Sequence, residues 1–207
     1  MYIKNPTKIE DRSFEIIGAH MIDKERFNED ELKVVMRTIH TTGDYDYENI
    51  VKFKNNPIEI AKEKLKSGAK IITDTKMAFS GINKKALEKL NCTVENYIDR
   101  EEVYKISKEK GITRSMAAID FSAELGADIY LVGNAPTALY RIGELIEDEK
   151  IKPSIVIAVP VGFVGAAESK EYIRNFNIPT ITTVGNKGGS NVAASIINAL
   201  MYMLVER

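Results

Sequence analysis

One short stretch near residue 40 combines the residue types that proton transfer needs. His40 is one of only two histidines in 207 residues, and Arg37, Thr41, Thr42 and Asp44 lie beside it. An imidazole is the side chain best suited to exchange a proton near neutral pH. Asp44 could orient it, and Thr41 or Thr42 could hydrogen-bond a ligand or the helix end. We therefore predict that His40 handles the proton of an active site; the alternative is a histidine that only caps its helix.

The residues before His40 predict the helix that positions it. Asn28 suits an N-cap, and Glu31 stands where a capping box requires an acidic partner. Apolar residues follow at helical spacing, namely Leu32, Val35, Met36 and Ile39. Gly43 is a natural left-handed terminator, so the helix should end there. The dipole at a helix C-terminus favours an imidazolium by about 0.3–1 kcal/mol, which suits His40 as a proton donor.

Three glycine-rich turns near the C-terminus are the second signal. Segments 133–137, 160–169 and 185–191 each follow a short apolar run and lead into a helical pattern. Ligands bind at the carboxyl ends of strands in open parallel sheets, and free N–H groups at helix N-termini favour anions. Tight connections explain any one such turn, but three together exceed what short connections need. The binding residues predicted here are Gly133, Asn134, Gly162, Gly165, Lys187, Gly188 and Gly189.

Two cations could meet an anionic ligand. Arg114 begins a predicted helix, where its charge opposes the helix dipole, so carboxylate binding would give it a role. A solvated surface arginine is the alternative. Lys187 could be a point-charge partner of an anion or an exposed loop lysine. The pairs 12–13 and 74–75 (Arg-Ser and Asp-Thr) are weaker candidates, better explained as surface charges or caps.

Several classes of protein are disfavoured. No segment matches a dinucleotide fingerprint, a phosphate-binding P-loop or a hydrolase nucleophile elbow. His20 lacks a polar cluster and is predicted to be structural, and two histidines with the single Cys92 are too few for a metal site. The 29 basic and 30 acidic residues nearly cancel, which argues against nucleic acid. With no apolar run of about 20 residues and no signal-peptide pattern, we expect a cytoplasmic protein with no membrane association.

Alternating strand and helix patterns predict the fold. Strands are predicted at 69–73, 93–95, 128–132, 154–159 and 179–184, and helices at 9–21, 57–67, 101–110, 114–125, 136–147, 166–175 and 190–204. Short apolar runs that alternate with helices indicate βαβ units and a parallel sheet covered on both faces. We therefore predict an α/β protein, with one three-layer α/β/α domain over residues 1–207, a mostly parallel sheet and ligand loops at the C-terminal ends of the strands.

The chain resembles the precorrin-8X methylmutase (precorrin isomerase) family, including its cobalt-precorrin-8 form. The resemblance covers nearly the whole chain, and the run Pro-Val-Gly-Phe-Val-Gly-Ala-Ala-Glu-Ser-Lys is highly specific to that family. The stretches that carry it are 12–14, 37–44, 74–77, 113–115, 133–139, 160–170 and 185–191.

The resemblance implies an intramolecular isomerase of vitamin B12 biosynthesis, which moves a methyl group from C11 to C12 of a contracted tetrapyrrole. The product would be hydrogenobyrinic acid, or cobyrinic acid when cobalt is present. His40 matches the family's proton-donating histidine, and Ser13 and Arg114 match residues that line the same pocket. The family is dimeric and uses no bound cofactor, since any cobalt belongs to the substrate. The cobalt form is our preference on composition.

Two other functions stay open from the sequence. The first is a non-catalytic protein that binds a corrinoid and hands it on, using the same pocket. The second is an α/β enzyme acting on a phosphorylated metabolite, which would bind phosphate at 185–191. The missing nucleotide motifs weigh against the second.

Overall fold

The computed structural model describes residues 4–206, and its strands form one six-stranded sheet. The strands are β1 (Val51–Lys54), β2 (Lys70–Thr73), β3 (Thr93–Glu95), β4 (Ile129–Val132), β5 (Ile155–Ala158) and β6 (Thr180–Thr183). Their order is β1-β6-β5-β4-β2-β3, and only β1 runs antiparallel to its neighbour. The predicted α/β class and mostly parallel sheet are confirmed.

Helices connect the strands. They are α1 (Pro6–His20), α2 (Glu29–Thr42), α3 (Tyr47–Ile50), α4 (Pro57–Lys66), α5 (Lys76–Gly81), α6 (Lys84–Lys89), α7 (Glu101–Lys110), α8 (Arg114–Leu125), α9 (Pro136–Glu147), α10 (Ala166–Arg174) and α11 (Ser190–Tyr202). Within residues 4–206, none of them is long and apolar enough to cross a membrane. Helix α1 begins three residues earlier than predicted, because the side chain of Asn5 accepts the Lys8 N–H and Pro6 suits the first turn.

Helix α2 forms as its sequence pattern predicts. The Asn28 side chain accepts N–H groups of the first turn, and the Glu31 carboxylate accepts the Asn28 N–H in return. Gly43 ends the helix in the left-handed conformation, with φ of 66°. The buried face of α2, which includes Val35 and Ile39, then sets the side chain of His40 at the edge of that face.

Alternate residues of the strands build two cores, one on each face of the sheet. In β4, Ile129 and Leu131 join the cluster that contains residues of α2 and α11, whereas Tyr130 and Val132 join the cluster of α8 and α9. This alternation is the consequence of strand geometry, and each fully buried Ile or Leu contributes about 1.5–3 kcal/mol. The two clusters confirm the predicted three layers.

Three of these strands and helices were not predicted from the sequence: β1, α3 and α6. Strand β1 lies at the sheet edge, where Val51 is buried and Lys52 is exposed, so its four residues carry no continuous apolar run. Lysines are typical of edge strands because they prevent further pairing. The short helices α3 and α6 have only four and six residues, too few for a helical period to stand out.

Candidate active site

His40 lies in the last turn of α2 with its side chain exposed. Its ring packs against Phe14 of α1, with 5.3 Å between the ring centroids. Across residues 4–206, neither ring nitrogen of His40 has a hydrogen-bond partner. An imidazole that is held by one face and keeps both nitrogens open can exchange a proton with a bound molecule.

His20 shows what a helix-capping histidine looks like in the same protein. Its Nδ1 donates to the carbonyl of Ile16 at 2.9 Å, and its ring stacks on Tyr45 with 5.4 Å between centroids. These contacts agree with the structural role predicted for His20. His40 makes no such bond to its helix, so the capping alternative does not describe it.

A cavity of about 210 Å³ lies beside His40 and brings together two predicted site residues. Its lining consists of Ser13, Ile16, Ile17, Ile39, His40, Gly43 and Tyr45. Helix α1 supplies Ser13, whose hydroxyl donates to the Ile9 carbonyl at 2.8 Å and keeps its lone pairs for a ligand. Ser13 and His40 therefore face the same space from two packed helices.

The hydroxyls of Thr41 and Thr42 are used by the helix end. Thr41 donates to the Arg37 carbonyl and Thr42 to the Thr38 carbonyl, each at 2.9 Å. Thr42 also accepts the backbone N–H of Asp44. Of the two roles predicted for this pair, hydrogen bonding of the helix end is confirmed, and ligand binding stays a prediction.

The prediction that Asp44 orients His40 is wrong. The left-handed turn at Gly43 directs the chain away from the helix, and the Asp44 carboxylate accepts from the Lys187 ammonium at 2.5 Å. Lys187 also lies 3.1 Å from the Asp46 carboxylate. The hydrogen bond from Lys187, followed by that from the Asp46 N–H, lowers the pKa of Asp44. These contacts join the α2 end to the loop after β6.

Arg37 contacts Phe14, the aromatic neighbour of His40. Its guanidinium pairs with Glu10 at 2.7 Å and stacks 4.7 Å from the Phe14 ring centroid. The side chain also lines a second cavity of about 440 Å³, together with Phe14 and Tyr202. Arg37 therefore holds Phe14 in place, and Phe14 supports the imidazole of His40.

The N–H groups of the turn after β4 are already occupied, so the prediction that they are free for an anion is wrong. Asp74, buried at the end of β2, accepts the N–H groups of Gly133, Asn134 and Ala135 at 2.8–2.9 Å. Burial raises the pKa of the Asp74 carboxyl, and the three N–H donors oppose that shift. Asp74 thus takes up the N–H groups of residues 133–135, whereas the side chain of Asn134 is exposed to solvent.

The loops after β5 and β6 touch each other through backbone. The N–H of Gly189 donates to the Val159 carbonyl at 2.9 Å, and that of Gly162 donates to the Asn186 carbonyl at 3.1 Å. A Cβ on Gly188 would stand 2.1 Å from the Val159 oxygen, so only glycine fits there. Close backbone approach is therefore the reason for this glycine.

Two large apolar side chains in the loop after β5 are exposed to solvent. Phe163 and Val164 are each 90% exposed, and they lie between Gly162 and Gly165, both with positive φ. Exposed large apolar side chains that adjoin a site indicate a surface that something covers. Neither side chain was predicted from the sequence as a site residue, although both belong to the motif that indicates the family.

Arg114 begins α8 at the same edge of the sheet but on its other face. Its guanidinium donates to the Tyr104 hydroxyl at 2.6 Å and lies 3.8 Å from Asp99. It lines a separate cavity of about 570 Å³ with residues of α7. The hydroxyl of Thr113 meets that of Thr137 at 3.0 Å, which places the α8 N-terminus beside the turn after β4. Arg114 therefore does not share the cavity of His40 within one chain.

The chain is similar to known proteins over almost its full length. The sequence model of the precorrin-8X methylmutase family matches residues 8–203. The cobalt-precorrin-8 methylmutase of Salmonella typhimurium is 42% identical over 211 residues, covering 99% of each chain. That of Methanocaldococcus jannaschii is 40% identical and covers 90% of this chain and 85% of the relative. The precorrin-8X methylmutase structure from Thermus thermophilus has a TM-score of 0.88 at 32% identity, covering 95% of both chains.

These similarities define the class as an α/β methylmutase. The chain belongs to the precorrin-8X methylmutase family. The resemblance found in the sequence is thereby confirmed, and the membership makes the protein an isomerase.

Proposed function

We propose that this protein moves a methyl group from C11 to C12 of a precorrin-8 macrocycle, which yields cobyrinic acid or its metal-free counterpart in the biosynthesis of vitamin B12. The observation that carries the proposal is His40, whose imidazole borders a cavity and has no hydrogen-bond partner among residues 4–206, in a member of this family. The rearrangement releases nothing and involves no net redox change. In this proposal the reaction requires one proton donor and a rigid binding site that holds the macrocycle in its reactive conformation, and it uses no bound cofactor.

His40 serves as the general acid in this proposal. Protonation of the macrocycle withdraws electron density from the conjugated system, so the methyl group migrates between neighbouring carbons more easily. The macrocycle then returns the proton to the neutral imidazole, so substrate and product remain isomers. Ser13 faces the same cavity and offers its lone pairs to the substrate. Arg37, through Phe14, keeps the imidazole in one orientation.

We propose the cobalt-containing macrocycle as the preferred substrate. Relatives named cobalt-precorrin-8 methylmutase span 33–42% identity, and four of them are 38% identical or more. Those named precorrin-8X methylmutase, from Sinorhizobium sp and Pseudomonas aeruginosa, stand at 34% and 33%. In this proposal, cobalt enters as part of the substrate.

A homodimer would complete the site. His40 and Arg114 lie at the same sheet edge but line separate cavities of one chain. A two-fold partner could bring the Arg114 of one subunit near the His40 of the other, so that both reach one broad ligand. Sedimentation velocity tests this assembly, and a single species near 23.2 kDa would overturn it.

The visible spectrum tests the activity. Purified protein mixed with cobalt-precorrin-8 should convert the yellow substrate into the longer-conjugated corrin chromophore, and it should convert the metal-free substrate more slowly. A chromophore that binds but does not change would favour a corrinoid carrier. We include a cytoplasmic location in the same proposal, as expected for a biosynthetic isomerase.

Phe163 and Val164 should cover one apolar face of the macrocycle. We expect Phe163→Ala to raise KM about tenfold, which corresponds to about 1.5 kcal/mol of lost apolar burial. Because the side chain is 90% exposed without ligand, kcat and Tm should change little. Steady-state kinetics measured through corrin absorbance checks this.

The matched control is Leu125→Ala. Leu125 is 49% exposed at the C-terminal end of α8, which leads into β4 from the opposite edge of the sheet. This control should leave KM unchanged. Equal KM values for wild type and Phe163→Ala would show that the loop does not contact the substrate.

A further inference from the structure

Lys170 of α10 has a fully buried side chain, which is rare for lysine. Among the described residues, its Nζ donates to the Thr183 hydroxyl at 3.1 Å and to the backbone carbonyl of Lys187 at 3.0 Å. The Thr183 hydroxyl donates to the same carbonyl at 2.8 Å. A buried ammonium is usually paired with a carboxylate, whereas both acceptors here are uncharged.

The charges around Lys170 do not favour its ammonium form. Burial, followed by the nearby charge of Arg174, lowers the pKa of Lys170 to about 8, and Glu171 opposes that shift. Glu171 itself pairs with Arg174. On the neighbouring α9, Tyr140 packs against Tyr172, and burial, followed by the hydrogen bond with Glu147, raises the pKa of Tyr172 to about 12. From strand β6, Lys170 contacts the uncharged hydroxyl of Thr183.

Lys170 donates to the backbone carbonyl of Lys187, and the side chain of Lys187 contacts the residues that follow α2. The Lys187 ammonium pairs with the carboxylates of Asp44 at 2.5 Å and Asp46 at 3.1 Å. Asp44 directly follows Gly43, which ends α2. Lys170 is thus connected to the end of α2 by two contacts, its hydrogen bond to the Lys187 carbonyl and the ion pair between Lys187 and Asp44.

The loop 185–189 needs such an anchor because three of its five residues are glycines. Its backbone hydrogen bonds lie at Asn186 and Gly189. The Asn186 carbonyl accepts the Gly162 N–H, and Gly189 donates to the Val159 carbonyl and accepts the Ala193 N–H. The Tyr47 hydroxyl reaches Gly188 only at 3.5 Å. Two buried side chains, those of Lys170 and Thr183, therefore fix the backbone at Lys187, and Lys170 supplies the charged donor.

We propose that Lys170 is a positioning residue of the active site, which holds the loop 185–189 so that Lys187 stays paired with Asp44 beside the helix end that carries His40. The buried ammonium cannot itself touch the substrate. Only the kinetic part of the test rests on the proposed function.

Hydrogen exchange measures the positioning without any substrate. In Lys170→Met, the amides of Gly162 and Gly189 should exchange at least about tenfold faster than in wild type, because the loop loses its anchor. Unchanged exchange at both amides would overturn the proposal. Should Lys170→Met fail to fold, Thr183→Val tests the same anchor with little change in shape. It removes the hydroxyl that accepts from Lys170 and itself donates to the Lys187 carbonyl, so unchanged exchange at both amides in this variant would also overturn the proposal.

Lys54→Met is the matched control. The Lys54 ammonium also donates to two backbone carbonyls, those of Arg174 and Phe176, but it does not touch the loop. This variant should lower Tm without changing exchange at Gly162 or Gly189. If it accelerated their exchange as much as Lys170→Met does, the effect would be general destabilisation, and the proposal would fail.

A double-mutant cycle gives the kinetic readout. Lys170→Met should lower kcat/KM by about 10- to 100-fold, the equivalent of a charge-assisted hydrogen bond. Combined with Lys187→Ala, the loss should stay close to that of the worse single variant, because both act through one contact. Additive losses would contradict positioning through Lys187. A wild-type protein without turnover would refute the proposed function and leave the exchange result valid.

Discussion

Replacing His40 with alanine should lower kcat for cobalt-precorrin-8 by about 10²- to 10⁴-fold, the usual contribution of a general acid. Among the residues that line this cavity, His40 is the best proton donor near neutral pH, because an imidazole gives up its proton far more readily than the phenol of Tyr45 or the hydroxyl of Ser13. KM should change little, because the rest of the binding surface remains. Tm should stay nearly constant, as expected when an exposed side chain is removed. Single-turnover absorbance and thermal unfolding measure these quantities.

The matched control is His20→Ala. This variant removes the other histidine, whose Nδ1 holds the Ile16 carbonyl, and it should lower Tm slightly while kcat stays at the wild-type value. Full turnover by His40→Ala would remove His40 from the mechanism. Loss of substrate binding in that variant would instead make His40 a binding residue.

Gly188→Ala should give the largest loss of stability. A Cβ there would stand 2.1 Å from the Val159 oxygen and 2.8 Å from its carbonyl carbon. Neither is a flexible side-chain atom, and the same oxygen accepts the Gly189 N–H, so relief of the clash breaks that bond. We expect a loss of about 3 kcal/mol or more in the free energy of unfolding, equivalent to a Tm lower by about 6–12 °C. Thermal unfolding followed by circular dichroism checks this value.

Gly185→Ala separates this clash from backbone strain in the same loop. Gly185 has a φ of 72°, but no atom lies within 4 Å of its added Cβ. Its substitution should cost only about 1–2 kcal/mol, the penalty of a left-handed conformation. Equal losses at the two positions would mean that the close approach to Val159 is relieved by a backbone shift.

Much of the local structure could be predicted because its cause is local. The capping box at Asn28 and Glu31, the apolar stripe of α2 and the stop at Gly43 depend on residues within one helix, and all three form as predicted. The bounds of α7, α8 and α9 were predicted for the same reason. Strand β1 escaped prediction because its edge position, not its composition, makes it a strand.

Family membership was also readable from the sequence, since it depends on residue identity at fixed spacing. The motif that contains Phe163 and Val164 indicated the family, and the sequence predicted that the glycine turns would lie at strand ends. It could not show that Phe163 stands in solvent, because exposure depends on what the rest of the chain leaves uncovered.

Only the tertiary structure decided which partner each polar group takes. Asp44, a neighbour of His40 in sequence, pairs with Lys187, which lies 143 positions away. The Asp74 carboxylate, at the end of β2, accepts the N–H groups of Gly133, Asn134 and Ala135, which follow the neighbouring strand β4. Hydrogen bonds and ion pairs form between groups within about 3 Å, and the packing of distant elements sets those distances. The sequence therefore determined the helix, the glycine loops and the family. The fold decided that, among residues 4–206, no carboxylate pairs with His40, and that Lys170 lies buried behind the loop.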